Sequence, residues 1–216
     1  MTRISCLEEI DDPLVLDASV VVNLNATGFA DRVLDAIPSG VFIPDPVVRE
    51  LQRGIKMGHK DATDLDALLA QGLAETLKVP TSAQSEYISL VSGSSMGSLG
   101  DGEAATIASA FAMRAWAGID ERKARRICRD RYKGVKVAST VDILAHPDVL
   151  DALSEDEFSS ALLAALEVAN MQVQRQHMDW VVARIDPDRI SNCLSLPRSV
   201  RNSIHTNLGK SHQGVG

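Results

Sequence analysis

The chain has 216 residues, 45% of them apolar and 4% aromatic, and a formal net charge of −7. That length can bury a core without disulfides, while the acidic balance excludes a general nucleic-acid coat, which needs a basic field. Three cysteines at unrelated spacings (Cys6, Cys128, Cys193) indicate neither a disulfide framework nor a zinc knuckle, and no run reaches the roughly 18 apolar residues of a membrane span.

Met1 to Cys6, followed by Glu8, Glu9, Asp11 and Asp12, lacks the apolar stretch of a secretory signal, so a soluble cytoplasmic protein is expected. From residue 13 to about 145, short apolar runs alternate with longer segments of helical period, the pattern of an α/β fold with a parallel sheet. Strands are predicted at Leu14 to Leu16, Val41 to Ile43, Ala74 to Val79, Ala115 to Ile119 and Val135 to Ala138, with helices between them. Asp17 follows the first strand. Asp45-Pro46 opens a helix, with Asp at the cap and Pro in the first helical position, which sets Glu50 just past the first turn. Ser92 to Gly100, rich in Gly and Ser, reads as a mobile loop, a connector or a substrate flap, leading into a helix that carries Glu103. Asp120 follows the fourth strand. Arg122, Lys123, Arg125, Arg126, Arg129, Arg131, Lys133 and Lys136 then place eight of the 22 basic residues beside it.

Beyond His146-Pro147 the character changes. Ser154-Glu155-Asp156-Glu157 fits a capping box, and Phe158, Leu162, Leu166, Ala169, Val173 and Trp180 follow at helical spacing as one largely apolar stripe. The chain therefore divides into an α/β domain over residues 1–146 and a helical extension over 147–216. The stripe could pack on its own chain, on a second copy in a homodimer, or on a partner protein. Asn202 to Gly216 has few apolar residues and reads as disordered.

In a parallel sheet the strand-to-helix junctions share one edge, so Asp17, Glu50, Glu103 and Asp120 could converge there. Four carboxylates suit a hard cation, Mg²⁺ or Mn²⁺, which can activate water and absorb charge in phosphodiester cleavage. Crowded together, they would repel one another and carry raised pKa values. Asp101 competes with Glu103 for the third position, and Glu121 with Asp120 for the fourth. Each residue also has a plainer explanation. Asp17 and Asp120 could be helix N-caps, Asp101 the cap of its helix, Glu50 an exposed helix residue, and Glu103 a charge favoured at a helix start. The basic cluster, Arg122, Lys123, Arg125 and Arg126 in particular, could hold substrate phosphates. Other nucleotide chemistry is not supported: the glycines of Gly97 to Gly102 run in the reverse of the dinucleotide order, and Gly209-Lys210-Ser211 lacks the first glycine of a P-loop. The five histidines form no ligand pair at zinc spacing.

These blocks resemble the PIN-domain nuclease family. Leu14-Val15-Leu16-Asp17-Ala18-Ser19 looks like its opening, and Phe42-Ile43-Pro44-Asp45-Pro46-Val47-Val48-Arg49-Glu50 like its second block. Gly102-Glu103-Ala104-Ala105-Thr106-Ile107-Ala108 and Ile119-Asp120-Glu121-Arg122-Lys123-Ala124-Arg125 are similar to two blocks of a bacterial and archaeal branch. Val137-Ala138-Ser139-Thr140-Val141-Asp142-Ile143-Leu144 matches its closing block, with Ser139 where Gly is usual. The resemblance spans about residues 13 to 145. It implies a PIN-like central parallel sheet of about five strands flanked by helices. It also implies a metal site of Asp17, Glu50, Glu103 and Asp120, with Ser19 orienting it, and endoribonuclease activity on RNA. An antitoxin partner is the family's most familiar setting. The competing reading is a catalytically silent binding module that acts through the helical tail.

Overall fold

All five predicted strands form, and all pair in parallel in one sheet. They are β1 (Leu14–Leu16), β2 (Val41–Pro44), β3 (Glu75–Leu77), β4 (Trp116–Gly118) and β5 (Lys136–Ala138), in the order β3-β2-β1-β4-β5. The protein is seen here as a computed structural model that describes residues 4–7, 12–55, 58–93 and 97–202. The stretch read as a disordered tail lies, beyond Asn202, outside the described residues, as do Gly209 to Ser211 and the Ser94 to Met96 part of the Gly/Ser segment.

Central β1 is buried along its whole length, which is why it reads as a continuous apolar run rather than an alternating one. Its side chains alternate between two cores: Leu14 and Leu16 join one, Val15 the other. The helices follow the same division. Between β1 and β2 lie α1 (Ala18–Ala26) and α2 (Ala30–Ala36), and after β2 come α3 (Asp45–Ile55) and α4 (Asp61–Ala70). These four pack on the Leu14 side through residues such as Val20, Leu24, Val33, Val47 and Leu65. On the Val15 side, α5 (Gln84–Val91), α6 (Asp101–Met113) and α7 (Arg122–Arg131) contribute Leu90, Ile107 and Ile127. Helix α3 starts directly after Pro44, so Asp45 is its first residue rather than its cap, a shift of one position at a helix end.

Four more α-helices follow, α8 (Thr140–Leu144), α9 (Pro147–Ala152), α10 (Glu155–Glu167) and α11 (Met178–Val182), and short 3-10 turns lie at Thr81–Ala83, Arg175–His177 and Pro187–Asn192. The capping box at Ser154 forms as read: Ser154 Oγ accepts from the Glu157 N–H, and Glu157 Oε2 accepts from the Ser154 N–H. The apolar stripe is buried within its own chain. Phe158, Leu162 and Leu166 enter the same core as Leu14 and Leu16, followed by Met171, Val181, Ile185, Ile190 and Leu196. The stripe is not one helix, however. Helix α10 stops at Glu167, and Asn170 adopts a left-handed backbone (φ 55°), a conformation that Asn tolerates and that ends a helix. Val173 and Trp180 still reach the core from the returning chain.

Two contacts tie this segment down. Arg32 on α2 pairs with Glu157 on α10 at 2.6 Å. His177 Nε2 lies 3.3 Å from Asp142 Oδ1, both buried. Against burial, which would raise it, hydrogen bonds from His177 and Ser139 hold the Asp142 carboxyl down at about 2.

A shared core predicts shared unfolding. Leu162→Ala should lower stability by about 3 kcal/mol, the usual cost of such a cavity, in a single transition that tryptophan fluorescence and circular dichroism report together. An early, separate melting of the segment after Leu153 would contradict the shared core.

Candidate active site

At the carboxyl edge of the sheet the chain passes from strand to helix with almost no loop. Asp17 is the one residue between β1 and α1, Glu50 lies on α3 after β2, and Asp120 stands two residues past β4. The first turn of α6 brings Glu103 to the same edge. All four, with Ser19 and Glu121, line one cavity of about 860 Å³. Asp101 does not: it is the exposed first residue of α6, and Gly100 holds the cap position in its place.

Gly102 permits the crowding. A Cβ there would stand 2.7 Å from Glu50 Oε2 and 3.3 Å from Asp17 Oδ1, so a larger residue would force the exposed Glu50 side chain to swing aside and tighten the contact with Asp17. Two oxygens from different elements thus already lie around one point.

The four carboxylates are held differently. Asp17 occupies the N-cap position of α1, yet its side chain makes no capping bond; Ser19 Oγ donates to its Oδ2 at 2.9 Å. It is 4% exposed, and burial first, then the nearby Glu50 charge, push it up to about 6 against the bonds it accepts. Glu50 is exposed. Glu103 reaches back one turn, its Oε2 accepting the Gly100 N–H at 3.1 Å, while its Oε1 is buried and has no donor. Burial, the adjacent Glu121 and the more distant Asp17 push Glu103 up to about 8; Glu103 and Glu121 are close enough to share one proton.

Asp120 is the most fixed. It is buried, with the Thr140 N–H donating to Oδ1 at 2.9 Å, and the Thr140 hydroxyl and Asn23 Nδ2 (2.7 Å) donating to Oδ2. Burial still raises its pKa. It is not a cap, since Glu121 takes that position on α7.

Among the described residues, no group of three or more His, Cys, Asp or Glu side chains is gathered closely enough to enclose an ion as it stands. Asp120 shows why: both of its oxygens are turned onto Thr140 and Asn23. The donor set nonetheless fits a hard cation. It consists of carboxylate oxygens, one of them buried without a partner, and two already share a cradle beside Gly102.

The basic cluster divides in two. Arg125 is a brace: its guanidinium donates to the Ile119 carbonyl at 2.8 Å and to Gln174 Oε1 at 2.7 Å, and burial lowers its pKa. Arg122, Lys123 and Arg126 instead line an adjoining depression of about 350 Å³ whose other walls, Glu121 and Gln172, also line the main cavity.

Several lining residues were missed by sequence reasoning. Asn23 had a readable signal, because Ser19 and Asn23 are four apart on an otherwise apolar face of α1. Asn170 and Gln172, from the chain after α10, had none, and neither had Arg53 and His59 after Glu50.

The raised carboxyl groups set a pH dependence. Glu103 binds its proton more tightly when folded than the ordinary value of 4.5, so its contribution favours the folded state below that pH and is lost as pH rises through about 8. In EDTA, the margin by which Glu103→Gln out-melts wild type should therefore widen from about pH 5 to about pH 8.5; calorimetry showing a constant or shrinking margin would contradict the crowding.

A family model, DUF3368, described as a PIN domain, matches residues 13–186 and so takes in all five strands, α1 to α11 and the cavity. No curated protein and no solved structure matches the chain. PIN domains are generally nucleases that use divalent metals. With its parallel five-stranded sheet and a match over most of its length, this chain belongs to the PIN-domain family.

Proposed function

We propose that the protein is a divalent-metal-dependent endoribonuclease that hydrolyses RNA phosphodiester bonds. The observation that carries this reading is the set of carboxylates from separate elements, Asp17, Glu50, Glu103, Asp120 and Glu121, lining one cavity beside a basic depression. Mg²⁺ or Mn²⁺ would be held by Asp17, Glu50, Glu103 and Asp120, with Glu121 at hand beside Glu103. When bound, such an ion polarises the phosphoryl group and lowers the pKa of water.

The chain's own residues supply the positioning. Ser19 fixes Asp17 by donating to one oxygen and leaves the other facing Gly102 and Glu50. Thr140 and Asn23 fix Asp120 by donating to its two oxygens. Arg122, Lys123 and Arg126 supply cations for phosphates flanking the cut, and Arg125 holds the start of α7 in place. With 4% aromatic residues there is little surface for stacking bases, so selection among RNAs rests on polar contacts and shape. A place as the toxin of a toxin–antitoxin pair is carried by the family resemblance alone, and a homodimer paired through the tail's apolar stripe loses support because that stripe is buried in its own chain. The competing silent module acting through its tail loses support because the tail's apolar stripe is buried in its own core.

Purified protein offered a mixed pool of single-stranded and structured RNA should cut it with Mg²⁺ or Mn²⁺ and stop in EDTA. Asp17→Asn should lower the rate by at least about 100-fold, and Ser19→Ala, which removes only the orienting bond, by about tenfold. Both variants should keep the wild-type circular dichroism spectrum. Cutting that survives EDTA, or a fully active Asp17→Asn, would discard the site.

A further inference from the structure

We infer that His59 is the proton donor to the leaving oxygen when the phosphodiester is cut; this rests on the nuclease reading above and goes beyond it. His59 lines the carboxylate cavity, and among the described residues it is the one imidazole that does. His146 and His177 are buried elsewhere, against Asp148 and Asp142.

The placement follows from α3. Glu50 and Gly54 are four residues apart on that helix, hence on one face and about 6 Å apart along the axis. Past the helix end the chain folds back, the His59 N–H donating to the Gly54 carbonyl at 3.2 Å. The side chain then lies over Gly54, where an added Cβ would meet His59 Cβ, Cδ2 and Cγ at 3.5, 3.7 and 3.8 Å. The imidazole is thereby set one helical turn beyond Glu50 along the cavity wall. Among the described residues no hydrogen bond ties up its ring.

Topology gives the direction. β2, which feeds α3, and β4, which feeds α7, lie on opposite sides of β1, and Asp17 ends β1 between them. An RNA strand that runs from Arg122 and Arg126 on the α7 side across Asp17 and Glu50 would continue toward α3 and His59, which would put its far ester oxygen on the His59 side.

The chemistry needs such a group. A ribose oxygen leaves poorly as an alkoxide, and a positioned acid accelerates its departure. The other charged side chains lining this cavity are Glu50 and Arg53 from α3, Asp61 from α4, and Asp17, Glu103, Asp120 and Glu121. Carboxylates committed to a cation are ionised and accept protons, and a guanidinium does not release its own; histidine is then the side chain suited to giving one up near neutral pH. In the step, a bond forms from the water oxygen to phosphorus and the far P–O bond breaks. The electron pair of the broken bond stays on the leaving oxygen, which takes its proton from the imidazolium. The attacking water gives one proton to the carboxylate cluster, and solvent reprotonates the neutral ring.

The test compares two RNA oligonucleotides of one sequence containing a site that the wild type cuts, the second with sulfur in place of the leaving bridging oxygen. A thiolate leaves without a proton, so a general acid matters only for the first. His59→Asn should cut the oxygen substrate about 100-fold more slowly and the sulfur substrate less than about threefold more slowly, and should lose the fall in rate that the wild type shows at high pH. Equal losses on both substrates would make His59 a binding or packing residue, and no loss on the oxygen substrate would remove it from the reaction; either overturns the proposal and leaves the nuclease reading standing. A wild type that cuts no RNA with either metal fails the nuclease reading itself, and the proposal falls with it.

Discussion

Negative charge crowded into a partly buried cavity is the constraint on which the rest of this structure turns. Asp17 and Asp120 are almost wholly buried, and Glu103 keeps one buried oxygen without a donor. Carboxylates taken from water and set beside one another favour the protonated form, so a fold that keeps them together must hold them by other means. Here three of them are held by neighbouring donors: Asp17 by Ser19, Glu103 by the Gly100 N–H, and Asp120 by Thr140 and Asn23. Gly102 leaves the space beside α6 in which Glu50 Oε2 and Asp17 Oδ1 lie.

The chain after α9 belongs to the same design. Its apolar residues complete the core under β1, and Asn170 and Gln172 form part of the cavity wall. A line of direct contacts also runs from this segment to the site. His177 bonds Asp142, Asp142 closes a capping box with Ser139, and that box fixes the start of α8, where Thr140 holds Asp120. Gln174 makes a second link, through Arg125, to the carbonyl of Ile119. Loss of this segment would open the core and release two supports of the fourth carboxylate together.

Much of this was legible in the residues. All five strands were, because short apolar runs between turn residues in an α/β pattern have few other readings, and so was the Ser154 capping box, because it is local. Features that depend on tertiary return were not. Helix α10 ends at Glu167, shortly before the left-handed Asn170, although the apolar spacing continues to Trp180, since period alone does not register a left-handed residue. Asp101 reads as a natural cap, yet Gly100 takes that position and Glu103 turns back onto it. Asp120, read as the fourth ligand, had Glu121 as a neighbouring competitor in sequence; the fold buries the first against Thr140 and leaves the second exposed beside Glu103. Arg125 looks like its basic neighbours until Ile119 and Gln174 claim it.

The central claim is that these carboxylates take up a divalent cation together, and calorimetric titration of cation-free protein with Mn²⁺ at pH 7, run in two buffers of different ionisation enthalpy, tests it most directly. The account predicts saturable binding with proton release, because Glu103 holds a proton at this pH that the ion displaces. Affinity should fall by at least about tenfold in Glu103→Gln and in Asp17→Asn but stay unchanged in Asp101→Asn. No binding by wild type, or equal binding by all three variants, would contradict it.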